Sequence, residues 1–149
     1  MAPTLEDGQH IVAEKVSYRF HPPRRGDIVV LRLDEGQIEG SLLKRVVALP
    51  GETVEVRDDG VFLCQPDGQC APLDDPNEMT VRIGEPEDPV RIEIPADTFF
   101  VMGDNREHST DSRTFGPVAR RDILGKAWLT VWPLNRMSLV ARAAPKAER

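Results

Sequence analysis

Proline and glycine divide this chain into short pieces. Its 149 residues include 13 prolines and 11 glycines, and both residue types interrupt regular secondary structure. This frequency excludes long helical bundles and predicts a mainly β fold, with an antiparallel β core, a small inserted β appendage and one short helix. The length corresponds to one ordinary domain with room for such an appendage.

Short apolar runs bounded by turn residues mark the predicted strands. They lie at 28–31, twice within 41–56, and at 90–94, 98–102 and 127–132. The helix is predicted over 117–124, because Pro117 favours the first helical position and Gly125 suits the position after the last one.

Residues 65–89 differ in composition from the rest of the chain. They are rich in proline and acidic residues, which indicates a loop-rich β-hairpin appendage. The predicted organisation is therefore a discontinuous β core of 1–56 and 90–141, the inserted appendage of 57–89, and a frayed tail of 142–149.

Charge and hydropathy exclude two classes of protein. The net charge is −6, so the chain lacks the basic field of a nucleic-acid-binding protein. No apolar run approaches the roughly 18 residues that span a bilayer, and no signal peptide is visible at the first residue. We therefore expect a soluble chain with no membrane anchor of its own and no nucleic-acid partner.

Two cysteines, Cys64 and Cys70, flank a Pro-Asp-Gly turn signal. A hairpin with this turn would set them opposite each other, with Cα atoms within about 7 Å. Two interpretations are open: a disulfide, which indicates an oxidising compartment, or two unrelated half-buried thiols. The pair lacks the further ligands of a four-coordinate zinc site, since the nearest histidine is His108. No metal centre is predicted.

Lys44 has the longest apolar surroundings of the four lysines. In a strand it shares a face with Leu42, Val46 and Ala48, where burial disfavours the ammonium form and lowers the lysine pKa. A lysine that acts as a base near neutral pH needs such a lowering. Two interpretations follow: a desolvated general base, or an edge-strand lysine whose amine reaches back to water.

A second concentration of polar side chains follows the strand predicted at 98–102. Residues 103–113 supply hydroxyl, carboxylate and guanidinium groups, and loops held by rigid strands are where functional sites usually lie. The same composition also fits a hydrogen-bonded surface loop without activity. His108 is interpreted as a surface residue rather than a metal ligand or a base.

Four segments, in order and with family-like spacing, resemble the motifs of bacterial type I signal peptidases, the Ser-Lys proteases that remove signal peptides. They are Met1-Ala2-Pro3-Thr4-Leu5, Arg25-Gly26-Asp27-Ile28-Val29-Val30, Lys44-Arg45-Val46-Val47-Ala48-Leu49-Pro50-Gly51-Glu52, and residues 103–113. One such segment would be a weak signal, but four in order cover most of the chain.

The resemblance implies a signal-peptidase-like β core and a role for each matching residue. Lys44 would be the general base, and Ser109 would be the hydroxyl that orients it. The implied mechanism uses neither metal nor cofactor. The structural residues near the site, including an ion pair between the last aspartate and the arginine, would be Asp104, Asn105, Asp111, Ser112 and Arg113.

The same resemblance places the nucleophilic serine directly before Met1, where the sequence begins. Met1, Pro3, Thr4 and Leu5 would be the remnant of the nucleophile motif, and the chain as given would be inactive. A start site assigned too late, a fragment of a longer protein or a decayed copy would each produce this situation.

The implied partners are the signal peptides of exported preproteins, bound as an added β-strand, and the membrane surface. The catalytic domain would lie at the cell membrane, on the periplasmic or extracytoplasmic side. Shallow pockets for small side chains would come from Ile11, Val12, Leu42 and Val46. The alternative is a non-catalytic module of the same fold that binds peptides or a membrane surface.

Overall fold

The computed structural model describes residues 10–32, 41–57, 60–73, 89–106, 108–132 and 138–140. Within these ranges the strands are β1 (His10–Glu14), β2 (Ile28–Arg32), β3 (Ser41–Ala48), β4 (Thr53–Arg57), β5 (Gly60–Cys64), β6 (Cys70–Pro72), β7 (Val90–Glu93), β8 (Thr98–Met102), β9 (Val118–Ala119), β10 (Ile123–Trp132) and β11 (Ser138–Leu139). The helical elements are α1 (Ser17–Phe20), α2 (Ser112–Phe115) and a 3₁₀ turn (Arg120–Asp122). Every strand pairing is antiparallel, which confirms the predicted mainly β fold.

The larger sheet carries β3 in its interior. Its strand order is β1–β10–β2–β3–β8–β9, with β11 also paired to β10. On one side of β3, Lys44 pairs with Val29 of β2. On the other side, Arg45 pairs with Met102 of β8. The backbone around Lys44 is therefore held from both sides.

The smaller sheet has the order β6–β5–β4–β7. Val54 of β4 and Val61 of β5 pack against Phe100 and Met102 of β8 in a cluster between the sheets. This sheet contains the described part of the predicted appendage, 57–89. The division into core and appendage remains a proposal, and residues 74–88 and 142–149 lie outside the described residues.

Strand β8 is covered on both faces. Phe99 and Val101 join the cluster that includes Val46, whereas Phe100 and Met102 face the smaller sheet. A strand buried on both faces requires a continuous apolar run rather than alternation. Because β8 leads directly into residue 103, the loop 103–113 starts from a fixed point in the core.

The buried carboxylate of Asp27 joins three segments at the start of β2. It accepts hydrogen bonds from the Tyr18 hydroxyl at 3.2 Å, the Arg24 amide at 3.1 Å and Lys126 Nζ at 2.9 Å. Burial and the charge of Asp27 raise the pKa of Tyr18, so the phenol stays protonated and donates a hydrogen bond to Asp27. Helix α1 and strand β10 are thereby fixed to β2.

The helix predicted over 117–124 is wrong. Val118–Ala119 instead forms β9 on the edge of β8, the 3₁₀ turn follows, and β10 begins at Ile123. Val118 and Ile123 are both buried in the core. Pairing and burial outweigh the local helix signals, because helix propensity is a weak preference that tertiary context overrides.

Gly125 is explained by a close approach of backbone rather than by a helix end. A Cβ at this position would lie 2.6 Å from the carbonyl oxygen of Glu14, a distance that no side chain tolerates. Glycine therefore lets the end of β1 lie directly against β10 beside the Asp27–Lys126 ion pair.

Candidate active site

Lys44 lies on the inner face of β3 and is only 8% exposed. Its neighbours on that face, Leu42 and Val46, pack in the core cluster of the larger sheet. The predicted apolar surroundings are therefore present. Burial lowers the pKa of Lys44; the charge of Asp111 opposes this effect and that of Arg113 adds to it. The environment disfavours the charged form of Lys44 relative to a solvated lysine.

The structure brings Lys44 and Ser109 together. Lys44 Nζ donates a hydrogen bond to Ser109 Oγ at 2.7 Å, although the two residues lie 65 positions apart in the sequence. This contact gives the buried amine a hydrogen-bond acceptor and fixes its direction. The two residues form a lysine–serine pair at the edge of the core.

Gly103 makes this pair possible. A Cβ at residue 103 would lie 2.1 Å from Ser109 Oγ and 2.6 Å from Ser109 Cβ. Only a residue without a side chain allows the Ser109 hydroxyl to reach Lys44. Gly103 belongs to the fourth family motif, but the sequence predicts no role for it, because a tertiary close approach has no local signal.

Asp111 holds the loop that presents Ser109. It is fully buried and accepts hydrogen bonds from the Gly103 amide at 3.0 Å and from Arg113 Nε at 2.9 Å. Burial opposes ionisation of Asp111, but the hydrogen bonds from Arg113 and Gly103 keep its pKa below the ordinary value. Arg113 also donates to the Arg106 carbonyl at 2.6 Å, which closes the loop.

The other predicted structural residues lie around the same loop. The buried Ser112 hydroxyl accepts a hydrogen bond from the Val101 amide at 2.9 Å. Asn105 is exposed, and its Oδ1 accepts from the His108 amide at 3.3 Å. His108 is exposed as well. The segment Met1–Leu5, including Met1, Pro3, Thr4 and Leu5, lies outside the described residues.

A second ion pair secures the opposite face of β3. Arg45 binds Asp104 through two hydrogen bonds of 2.8 and 2.7 Å and donates to the Gly26 carbonyl at 3.0 Å. The family motifs imply a structural role for Asp104 but do not predict its pairing with Arg45. The alternation of β3, which directs adjacent residues to opposite faces, was the available signal.

Only some of the residues predicted to line shallow pockets are accessible to a ligand. Val46 is fully buried in the core, so its assignment to a pocket is wrong: the strand face that buries Lys44 buries Val46 more deeply. Leu42 and Ile11 are half-buried against core clusters. Val12 is exposed on β1 and is accessible to a ligand.

Cys64 and Cys70 form a disulfide across β5 and β6, with Cα atoms 4.0 Å apart. They lie in the smaller sheet, on different strands from the lysine–serine pair. Cys64 Sγ also lies 3.8 Å from a carboxylate oxygen of Glu55. The disulfide joins the short edge strand β6 to the rest of that sheet.

Comparison with known proteins identifies the family. Residues 1–132 match the family described as "Signal peptidase, peptidase S26", and the chain belongs to this family. It is 41% identical over 147 residues to signal peptidase I of Leptolyngbya laminosa, covering 92% of this chain and 66% of that protein. It is 42% identical over 142 residues to probable signal peptidase I-1 of Synechocystis sp., covering 91% and 68% respectively. The chain thus spans about two thirds of these relatives.

More distant relatives carry related names. Thylakoidal processing peptidase 1 of Arabidopsis thaliana is 32% identical over 152 residues, covering 93% of this chain and 41% of that protein. A crystal structure of a signal peptidase I from Enterococcus faecalis aligns with a TM-score of 0.49 and 28% identity, over 71% of this chain and 97% of that one.

In the described ranges, no helix has the length and apolar character to cross a bilayer.

The role of Gly103 can be tested by stability alone. We expect Gly103→Ala to lower the free energy of unfolding by about 1–3 kcal/mol, because the methyl group overlaps Ser109. Two of the three atoms nearest to the added Cβ belong to Ser109, and a Ser109→Gly background removes both of them. The third, Lys44 Nζ, lies 3.6 Å away. The same substitution should then have less than half the effect in urea titrations. Equal losses in both backgrounds would contradict the predicted overlap.

Proposed function

We propose that this chain provides the catalytic domain of a signal peptidase I, a serine endopeptidase that removes signal peptides from exported preproteins. The observation that carries the proposal is the 2.7 Å contact between Lys44 Nζ and Ser109 Oγ at the edge of an apolar core. Family membership supports it, because the chain belongs to the signal peptidases and carries these residues in the matching motifs.

In the proposed mechanism, Lys44 is the general base. Its neutral amine accepts the proton of a serine hydroxyl located directly before Met1, while that oxygen attacks the scissile carbonyl carbon. The resulting Lys44 ammonium then donates a proton to the leaving amine of the substrate. The neutral Lys44 amine that remains later activates the water that hydrolyses the acyl-enzyme. Ser109 orients Lys44, and the Asp111–Arg113 pair positions Ser109. A desolvated lysine performs both proton transfers without a histidine.

The proposed nucleophile position can be tested with two polypeptides. One begins at Met1, and the other carries serine and the preceding native residues before Met1. We expect only the serine-bearing form to cleave a signal-peptide substrate, because removal of a nucleophile reduces the rate by about 10⁶-fold. In that form Lys44→Ala should abolish cleavage, whereas His108→Ala should leave it unchanged. Cleavage by the Met1 form within about tenfold of the longer form would contradict the assignment, given that expected loss.

The pH dependence tests the state of Lys44. Because only the neutral amine accepts a proton, kcat/KM should rise as pH increases through the lowered pKa of Lys44. Arg113 contributes to that lowering, so Arg113→Gln should move the acid limb to higher pH. The matched control is Arg121→Gln, since Arg121 is a highly exposed arginine. An acid limb at the ordinary lysine pKa in the unsubstituted enzyme would contradict a desolvated base.

We also propose that the end of the larger sheet rests on a membrane surface. Trp128 and Trp132 of β10 are each 51% exposed, and Leu139 of β11 is 66% exposed. Tryptophan favours the boundary between lipid and water because its ring is apolar and its N–H is polar. The disulfide further supports an oxidising, extracytoplasmic compartment.

Vesicle binding tests the membrane surface. We expect the protein to sediment with phosphatidylcholine vesicles and its tryptophan fluorescence to shift to shorter wavelength. The chain contains two tryptophans, so the signal reports Trp128 and Trp132 directly. The Trp128→Ser/Trp132→Ser double variant should lose most of the sedimentation. Val90→Ser, which changes an exposed residue of the smaller sheet, should retain it, and equal loss in both variants would contradict the proposal.

A further inference from the structure

Glu55 is a buried carboxylate on the face of β4 opposite Val54 and the core. It is 1% exposed, and Arg57 Nε and Arg91 Nε each donate a hydrogen bond to one of its oxygens. Despite its burial, these two guanidinium groups keep the pKa of Glu55 below the ordinary value. A charged group is thus maintained inside the smaller sheet, where the lysine–serine pair makes no use of it.

The disulfide lies directly beside this carboxylate. One carboxylate oxygen of Glu55 and the sulfur atoms of Cys64 and Cys70 all lie within 4.8 Å of one another. The group combines one hard oxygen and two soft sulfur atoms from three neighbouring strands. Among the residues that the structure describes, it is the one cluster of three carboxylate, thiol or imidazole side chains at this spacing.

We infer that reduction of the Cys64–Cys70 disulfide converts this cluster into a binding site for a thiophilic divalent cation, with Zn²⁺ as the best match. A dithiol reductant exchanges with the disulfide, supplies two electrons and two protons, and leaves as its own cyclic disulfide. The two protein thiols then lose their protons to solvent as both sulfurs and Glu55 bind the metal. Water would take the fourth position.

The spacing suits a tetrahedral zinc ion. Zinc lies about 2.3 Å from thiolate sulfur and about 2.0–2.2 Å from carboxylate oxygen, so its ligand atoms are roughly 3.5–3.8 Å apart. Cys64 Sγ already lies 3.8 Å from Glu55 Oε2. Once the disulfide is open, rotation about the Cα–Cβ bonds can separate the two sulfurs, since Cys64 and Cys70 are directly opposed in the strand pairing.

The charges and hydrogen bonds around Glu55 are compatible with zinc binding by Glu55, Cys64 and Cys70. Each carboxylate oxygen has two acceptor positions, so Glu55 can retain an arginine on each oxygen and still bind a cation. Zn²⁺ replaces two thiol protons, which leaves the total charge of the cluster unchanged. Arg57 and Arg91 offset the negative charge of Glu55, so the carboxylate adds little repulsion to thiolates that form beside it. In the oxidised protein the sulfurs carry no charge, and Glu55 is already neutralised by the arginines.

Cobalt is a suitable probe, because thiolate-bound Co²⁺ absorbs through charge transfer. The protein is reduced with dithiothreitol, freed of it under nitrogen and titrated with Co²⁺, and then with Zn²⁺ as competitor. We expect one Co²⁺ per reduced chain, displaced by Zn²⁺, and no binding by the oxidised protein. Absence of stoichiometric binding by the reduced protein would overturn the inference.

Variants distinguish a defined metal site from nonspecific binding of the metal by thiols. Cys70→Ser changes a half-buried residue of an edge strand, so the fold should persist while the charge-transfer band is lost. Glu55→Gln should weaken Co²⁺ binding by about tenfold or more, whereas Glu93→Gln, an exposed carboxylate of β7, should not. Unchanged binding in Cys70→Ser would overturn the site, and unchanged binding in a folded Glu55→Gln protein would overturn Glu55 as a ligand. None of these measurements depends on peptidase activity.

Discussion

The burial of one amine is the constraint on which this site depends. A lysine inside an apolar sheet loses hydration, so its charged form is disfavoured unless a partner compensates. Here Lys44 finds one hydroxyl, that of Ser109, and the hydroxyl fits only because residue 103 has no side chain. The lowered pKa of Lys44 and the close approach at Gly103 are two consequences of the same packing.

Two ion pairs keep this arrangement in place from opposite faces of β3. Asp111 and Arg113 close the loop around Ser109, and Asp104 and Arg45 tie the start of that loop to the turn before β2. Hydrogen-bonded buried charges of this kind define geometry more than they add stability. A base that must point in one direction benefits from such definition, which is consistent with the proposed proton transfers.

The smaller sheet contains a second buried ionisable group, Glu55, and its environment differs from that of Lys44. Glu55 stays ionised because two guanidinium groups compensate its burial, whereas Lys44 has one neutral hydroxyl and an unfavourable environment for its charge. One group is therefore stabilised as an ion, whereas the charged form of the other is disfavoured, as the proposed mechanism requires of a general base. The disulfide beside Glu55 determines whether the sulfurs of that cluster are available as ligands.

Much of the fold and the site could be predicted from local patterns. Short apolar runs predicted β2, β3 and β8, and alternation along β3 placed Lys44 beside Leu42 and Val46, because strand periodicity is a property of the backbone itself. The motifs around Lys44 and Ser109 indicated the family. Only the tertiary structure decided that 118–119 pairs with β8 instead of forming a helix, that Gly103 admits Ser109, and that Glu55 meets the two cysteines. These contacts join residues from distant segments, and their energies depend on burial and close approach, which no local pattern encodes.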